Sequence, residues 1–484
     1  MPRRVVNVHR TDGGAPEGPL LDGVSLIWDE LDLSLEFPPE VEAAARQAAG
    51  DPRLPELDRT DIPFVTIDPA SSLDLDQAVH LERDPAGGYV VHYAIADVAA
   101  FVSPGDPIDV EANRRGETFY GGGVKIPLHP TVLSEGSASL LPDTIRPALL
   151  WTIKVDAEGE GYDAQVERAL VRSRAKLDYE TLQAQVDAGK AEEMIVLLQE
   201  VGELRLQREA ARGGVSLPLP EQVVDVGPDG WSLSFRQMQP VEEWNAQISL
   251  LTGMAAASLM VYARVGLLRT LPPPDPRDVQ RLHRTAHALG IEWRAELLYP
   301  DFIRSLDPSK PHHAAMVVAC TRLLRGAGYV GFNGVVPDQP EHAGLASEYA
   351  HVTAPLRRLA DRYAGEVCLA LCAGHDVPDW VLAKLDVLPR EMQEADHRAH
   401  QYENAVLGLV EASVLEHRVG ESFPGVVVAV DEDDPHRGDL VVQDPAIEAR
   451  VTSATDLPLG TDVSARLVEA DPHTRTVRFE LGGA

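Results

Sequence analysis

The sequence predicts an α+β chain that ends in a small β-barrel, and three observations carry that expectation. Strand patterns cluster from residue 62 to about residue 96, and helical periodicity dominates from 241 to 418. After Gly420 the pattern switches to the two-residue alternation of strands. With 484 residues, 44% of them hydrophobic and 25% charged, the chain has ordinary globular composition. A prior of roughly 150 residues per domain suggests about three domains, or one large core with an appendage.

The elements follow in order. Residues 1–58 hold a Gly/Pro-rich stretch over 13–20 and a predicted helix over 40–49 behind Pro38-Pro39, too little for a domain of its own. Strands are predicted at 64–67, 78–81 and 89–96, with Asp84-Pro85-Ala86-Gly87-Gly88 turning between the last two. A helix is expected over 179–212, where Met194, Leu197, Leu198, Val201 and Leu204 recur at helical spacing and Gly213-Gly214 stops it. Segments 223–226 and 231–235 flank Pro228-Asp229-Gly230 and read as a hairpin. The helices of 241–418 are broken by Pro272-Pro273-Pro274 and by a Gly/Asn/Pro-rich loop over 328–344. Five short strands at 424–430, 440–442, 449–451, 463–468 and 477–481 then suggest an OB-type barrel. No internal repeat of solenoid period is visible.

Charge and cysteines narrow the function classes. Lys plus Arg number 43 against 76 Asp plus Glu, a net charge of −33. Such acidity argues against a polyanionic partner unless basic residues gather locally or the acids hold metal ions. The three cysteines, Cys320, Cys368 and Cys372, cannot staple a chain this long, so a reducing, cytoplasmic setting is expected. Cys368 and Cys372, four apart in an apolar helical stretch, read as buried thiols. The N-terminus turns polar at once and has no signal-type apolar region. Residues 248–268 are apolar, but Thr252, Gly253, Ser258 and Arg264 interrupt them, so a core helix rather than a membrane span is expected.

The sharpest local feature is a run of carboxylates, Asp68, Asp74 and Asp76, around a turn between strands. In extended backbone Asp74 and Asp76 point to one side, and a turn over 69–72 could fold Asp68 back towards them. Crowded carboxylates oppose one another's ionisation, so such a cluster is stable chiefly when cations share it. All-oxygen donors suit Mg²⁺ or Mn²⁺ rather than Zn²⁺. The bland alternative is a solvated acidic loop. An EF-hand does not fit, because its Gly and its terminal Glu are missing.

The motifs resemble those of the ribonuclease II (RNB) exoribonucleases. The family pattern, Asp, five residues, Asp-x-Asp-Asp-Ala, reads here Asp68, five residues, Asp74-Leu75-Asp76-Gln77-Ala78. Ala94-Ile95-Ala96-Asp97-Val98 is similar to the family's HIADV strand. Asp109-Val110-Glu111-Ala112, Arg115-Gly116-Glu117-Thr118-Phe119-Tyr120, Ile126-Pro127-Leu128-His129-Pro130, Ser139-Leu140-Leu141-Pro142 and Arg146 follow in family order. Thr353-Ala354-Pro355-Leu356-Arg357-Arg358-Leu359-Ala360-Asp361 resembles the second family motif, T-S-P-I-R-R-Y-x-D. The resemblance implies an RNB catalytic domain of mixed sheets and surrounding helices over 59–418, then an S1-like OB barrel over 419–484. It implies a short member without the N-terminal cold-shock-like barrels.

Function is implied residue by residue. Asp68, Asp74 and Asp76 match carboxylates that hold divalent metal, Mg²⁺ or Mn²⁺, with Asp76 most tightly linked to cleavage. Arg357 matches the arginine on the scissile phosphate, Tyr120 the aromatic that stacks on the 3′-terminal bases, and Arg358 and Glu403 residues that support RNA. The implied activity is processive 3′-to-5′ hydrolysis of single-stranded RNA to nucleoside 5′-monophosphates, by a monomer with no membrane and no organic cofactor. Metal-activated water and a planar guanidinium suit an in-line displacement at phosphorus, and stacking suits an enzyme that ignores sequence. Three departures stand out: Gln77 replaces the fourth Asp, Ala354 the usual Ser and Leu359 the usual Tyr. Gln77 leaves a neutral amide as a doubtful fourth ligand, so a weaker site or a preference for Mn²⁺ is expected. The alternatives are a non-catalytic RNA-binding protein with a decayed site and a metal-dependent DNA nuclease.

Rival constellations read as ordinary. His397, His400 and Glu403 share a helix face without a metal motif. His312-His313 reads as surface histidine, and Asp431-Glu432-Asp433-Asp434 as a charged hairpin tip. Arg168, Arg172, Arg174 and Lys176 are either a phosphate-contacting patch or a surface strand. The barrel's only basic residues, Arg437, Arg450, Arg466, Arg475 and Arg478, promise a weak RNA clamp.

Overall fold

The computed structural model describes residues 6–10, 19–121, 124–227, 230–294 and 296–482. Pro228 and Asp229 of the expected hairpin turn, and 13–18 of the Gly/Pro-rich stretch, lie outside the described residues.

Five strands, Phe64–Ile67, Gln77–Arg83, Tyr89–Ala96, Ile145–Val155 and Gly161–Leu177, close a first barrel. It closes through parallel pairing of Phe64–Ile67 with Gly161–Leu177, Ile67 lying opposite Leu177. The central strands Tyr89–Ala96 and Ile145–Val155 are largely buried on both faces, whereas Gly161–Leu177 alternates between buried and exposed positions. Val79, Val91, Tyr93, Ile95, Leu149, Trp151 and Ile153 join one core cluster, while Phe64, Ala78, Ala94, Ala96, Ala148 and Leu150 join another. Helices Glu193–Arg212, Pro240–Ala263 and Leu359–Ala373 supply the first cluster, and helices Pro39–Gly50 and Pro107–Arg115 the second. Two-sided burial explains why Tyr89–Ala96 reads as a continuous apolar run.

Several expectations are corrected. The helix expected over 179–212 is two, Tyr179–Asp187 and Glu193–Arg212, because Gly189 takes a φ of +64° between them. All the periodic residues that suggested it belong to the second. Within the helical stretch, Val265–Thr270 and Gly328–Asn333 pair as an antiparallel ladder. The apolar run of helix Pro240–Ala263 hides its start, where Arg264 leaves the helix at a φ of +58°. That helix is long and apolar enough by composition to cross a membrane, and 44% of its apolar window is buried inside the protein. Cys320 and Cys368 are buried, but Cys372 is exposed.

The C-terminal expectation holds strand by strand. Ser422–Val430, Arg437–Val442, Ile447–Ser453, Thr476–Leu481 and Asp462–Asp471 close a second barrel in that spatial order. Its core holds Phe423, Val427, Leu440, Ile447, Leu467 and Phe479, with the two phenylalanine rings edge-on at 5.7 Å. The acidic tip over 431–434 is more than a solvated turn, because Glu432 lies 2.6 Å from Arg322 and 3.8 Å from Arg281 on the helical region.

Candidate active site

The two motifs meet although they lie far apart in the chain. Asp76, just before strand Gln77–Arg83, is 5% exposed. Its Oδ1 accepts the Leu356 backbone N–H at 2.8 Å, and Arg357 Nε lies 3.4 Å from Oδ2. The Arg357 side chain remains 43% exposed, open to an incoming anion.

Four supports hold the 353–359 segment there. Helix Pro107–Arg115, capped by Asp106 on the Asp109 N–H, ends at Gly116 with a φ of +80°. A Cβ at Gly116 would stand 2.4 Å from that of Ala395, so glycine is required there. The chain leaving Gly116 pairs with the arginines: Glu117 bridges Arg358, and the Thr118 N–H donates to the Arg357 carbonyl at 2.9 Å. From the other side Ser249 and Thr353 share a hydroxyl hydrogen bond of 2.8 Å. Finally, the buried Asp361 carboxylate accepts from the Ala354 N–H at 2.7 Å and from Arg358 Nε and Nη2, each at 2.9 Å.

That fork gives Arg358, expected to support RNA, a structural partner: its guanidinium braces the loop. Because Asp361 is fully buried beside a charged partner, Asp361→Asn should cost about 3 kcal/mol, the scale of a broken buried pair. Urea unfolding measures this, and an unchanged midpoint would contradict the bracing role.

The carboxylates differ in their surroundings. Burial pushes the Asp68 carboxyl up to about 7 and Asp74 adds to it, against Arg357 and Lys176. Burial likewise pushes Asp76 up to about 8, with Asp74 and Asp361 adding, against Arg357 and the Leu356 N–H. The loop between them is built deliberately. Lys176 Nζ donates to the Ala70 and Ser72 carbonyls at 2.6 and 2.5 Å. Ser139 Oγ accepts the Leu75 N–H at 2.9 Å and donates to the Leu73 carbonyl at 2.6 Å.

Asp74 already has a cation, because Lys125 Nζ sits 3.0 Å from its Oδ1 and 2.6 Å from Glu135 Oε1. Gln77, the doubtful fourth ligand, has partners of its own. Its Oε1 accepts the Tyr93 hydroxyl and its Nε2 donates to the Thr353 carbonyl, so both ends of the amide are engaged. Among the described residues no three His, Cys, Asp or Glu side chains gather closely enough to hold a metal ion by themselves.

Tyr120 lies in the hairpin of Phe119–Gly121 and Val124–Ile126, opposite Lys125 and 37% exposed. Its hydroxyl is raised by burial, and the charges of Arg357, Asp74 and Asp76 all reach it. Glu403 is half-buried on helix Leu388–Leu415, beside Tyr402, whose hydroxyl is 3.5 Å from the Gly121 carbonyl. His400 pairs with Asp396 on its own helix. Of the four basic residues read as either a phosphate patch or a surface strand, three are engaged within the fold. Arg168 bonds Asp97 and Glu366, Arg174 bonds Glu192, and Lys176 serves the carboxylate loop. In the C-terminal barrel Arg437, Arg450, Arg475 and Arg478 all have carboxylate partners.

Sequence reasoning missed Lys125, Asp361 and Ser139 as site builders. Ser139 and Asp361 do stand in the motifs, but no spacing marks Lys125.

The first barrel joins Asp76 to Arg357, an OB-type barrel follows it, and the chain belongs to the RNB domain family. The RNB domain profile matches residues 57–370, and the RNase II-type exonuclease C-terminal S1 domain matches residues 421–482. Among relatives, the exosome complex exonuclease RRP44 homolog A of Arabidopsis thaliana is 26% identical over 355 residues, covering 70% of this chain and 37% of that protein. Ribonuclease R 1 of Lactococcus lactis is 25% identical over 427 residues, 84% of this chain and 52% of that protein. Ribonuclease R of Aquifex aeolicus is 24% identical over 501 residues, 95% and 70%. The chain thus spans about a third to a half of the first two relatives. Among solved structures, Mycoplasma genitalium RNase R in complex with ribose methylated single-stranded RNA superposes with a TM-score of 0.83 at 19% identity, over 96% of this chain and 78% of that one. Yeast Ssd1, a pseudonuclease, superposes with a TM-score of 0.70 at 15% identity, over 90% and 56%.

Proposed function

We propose that this chain is a divalent-metal-dependent exoribonuclease that hydrolyses single-stranded RNA from its 3′ end to nucleoside 5′-monophosphates, processively, in a reducing cytoplasm. The observation that carries this reading is the Asp76 carboxylate held between the Leu356 N–H and the Arg357 guanidinium. It joins an acid suited to metal binding to a cation suited to phosphate. The relatives' names as exonucleases and ribonucleases support the same class.

The donor chemistry fits Mg²⁺ or Mn²⁺. Both ions are content with one or two carboxylates plus water and substrate phosphate oxygens, so Asp68 and Asp76 suffice without a closed protein cage. When bound, such an ion lowers the pKa of attacking water and offsets charge on the phosphate. Arg357 then stabilises the phosphate oxygens as charge grows on them. Tyr120 presents its ring to the terminal base, which holds any base equally. The Leu356 N–H fixes the rotation of Asp76, and Ser139 and Lys176 fix the loop that carries Asp68 and Asp74.

The raised carboxyls give a signed pH dependence. In the unfolded chain both titrate near the ordinary 3.8, whereas in the metal-free fold they titrate at about 7 and about 8. Between about pH 4 and pH 8 the folded state therefore binds more protons. Its stability falls as pH rises through that window. A divalent ion displaces those protons, so its affinity should rise with pH from about 6 to 8 and then level off. Calorimetry in buffers of different ionisation enthalpy should record proton release on Mn²⁺ binding at pH 6.5, and pH-independent affinity would contradict the assignment.

A second reading, a non-catalytic RNA-binding protein, is favoured by the engaged Gln77 amide and by Lys125 on Asp74. Product analysis separates the two. RNA labelled at its 3′ end should release labelled nucleoside 5′-monophosphate at the earliest times with Mg²⁺ or Mn²⁺, and nothing with EDTA. Intact RNA under all conditions would favour the second reading.

A further inference from the structure

We propose that Lys125 is the site's resident second cation, and that the centre consequently takes a single divalent ion, on Asp68 and Asp76. The inference rests on the nuclease reading of this site and deepens it. Lys125 Nζ contacts two carboxylates at once, Asp74 at 3.0 Å and Glu135 at 2.6 Å, bridging them as a shared metal ion would. The ammonium is held in place. It projects from Val124–Ile126, paired in register with Phe119–Gly121, so the hairpin that carries Tyr120 also carries the cation. Its side chain is 27% exposed, and those of Asp74 and Glu135 are 15% and 23% exposed. The contact is therefore partly shielded from water and stronger than a surface pair.

Gln77 completes the case. At the position where a further carboxylate would recruit another ion, the amide is neutral and spends both ends on Tyr93 and Thr353. Charge balance agrees. Asp68, Asp74, Asp76 and Glu135 bring four negative charges, offset by Lys125, Arg357 and one divalent ion. A second divalent ion would leave the centre strongly over-charged and would have to evict Lys125 from Asp74. Lys125 acts through Asp74 and is a positioning residue. It holds that carboxylate in place through the 3.0 Å contact and leaves Asp68 and Asp76 for the single ion.

The test counts ions without asking for turnover. Full-length protein is titrated with Mn²⁺, and bound ion is followed by electron paramagnetic resonance. One Mn²⁺ per chain is expected for the wild type and for Lys125→Arg. Two are expected for Lys125→Met and for Lys125→Gln, the latter keeping a hydrogen-bond donor in case the methionine variant folds poorly. A wild type that binds two ions, or a glutamine variant that still binds one, would overturn the proposal. Asp76→Asn in the same titration speaks to the underlying site alone. Loss of the wild-type ion there supports the nuclease reading, whatever the Lys125 variants do.

Discussion

Asp76→Asn is expected to abolish RNA degradation, with a loss of about 10³-fold or more in the rate of mononucleotide release. The change keeps shape and removes charge. An asparagine oxygen can still accept the Leu356 N–H, so the junction between the two motifs should survive. What disappears is the anion facing Arg357 and the donor that would bind a divalent ion. RNA affinity, measured by fluorescence anisotropy, should stay within about threefold, because stacking and phosphate contacts elsewhere dominate binding. Thermal stability in metal-free buffer should not fall. Burial already raises this carboxyl to about 8, so a neutral amide escapes a desolvation cost that the wild type bears as it ionises. Retained activity, or a variant that unfolds, would each contradict the role assigned to Asp76.

The second large effect is expected from a change that preserves charge. Arg357→Lys should slow single-turnover cleavage by about 10²-fold at saturating enzyme, with little change in RNA affinity. Arg357 reaches Asp76 through Nε, which leaves the rest of its 43% exposed side chain for the phosphate. A lysine has one compact ammonium and cannot face the carboxylate and grip two phosphate oxygens in the same plane. If only net positive charge mattered, lysine would serve nearly as well, and near-wild-type rates would show that the planar fork is not used. The neighbouring Arg358 is the internal contrast. Its guanidinium is committed to Asp361, so its replacement should appear first as lost stability.

How much of this was legible in the sequence depended on which signals are local. The C-terminal barrel was legible because its strands have one buried and one wetter face, and alternation is visible in a single chain. The first barrel was legible only in pieces. Its central strands Tyr89–Ala96 and Ile145–Val155 are largely buried on both sides, so alternation vanishes there, and the closing partner Gly161–Leu177 lies far along the chain in a parallel pairing that no turn announces. At the site, Asp68, Asp74, Asp76, Tyr120 and Arg357 stand in motifs, and the structure gathers them around one mouth. The motifs could not show how each is held. The Leu356 N–H on Asp76, the Asp361 brace on Arg358 and the Lys125 contact with Asp74 are meetings of distant segments. Gln77 was read as a weakened ligand from its position alone, whereas its partners Tyr93 and Thr353 come from another strand and from the second motif. The net charge of −33 is uninformative for a related reason: it counts surface acid wherever it lies and cannot show that Arg357 stands beside Asp76.

The most direct test of the central claim is a time course of a 5′-labelled single-stranded oligoribonucleotide incubated with the purified chain and Mn²⁺ or Mg²⁺. Shortening from the 3′ end to small limit products, abolished by EDTA and absent for the matching deoxyribose oligonucleotide, is the predicted result. RNA that is bound but stays full length with either ion would contradict the claim that this site is a working exoribonuclease.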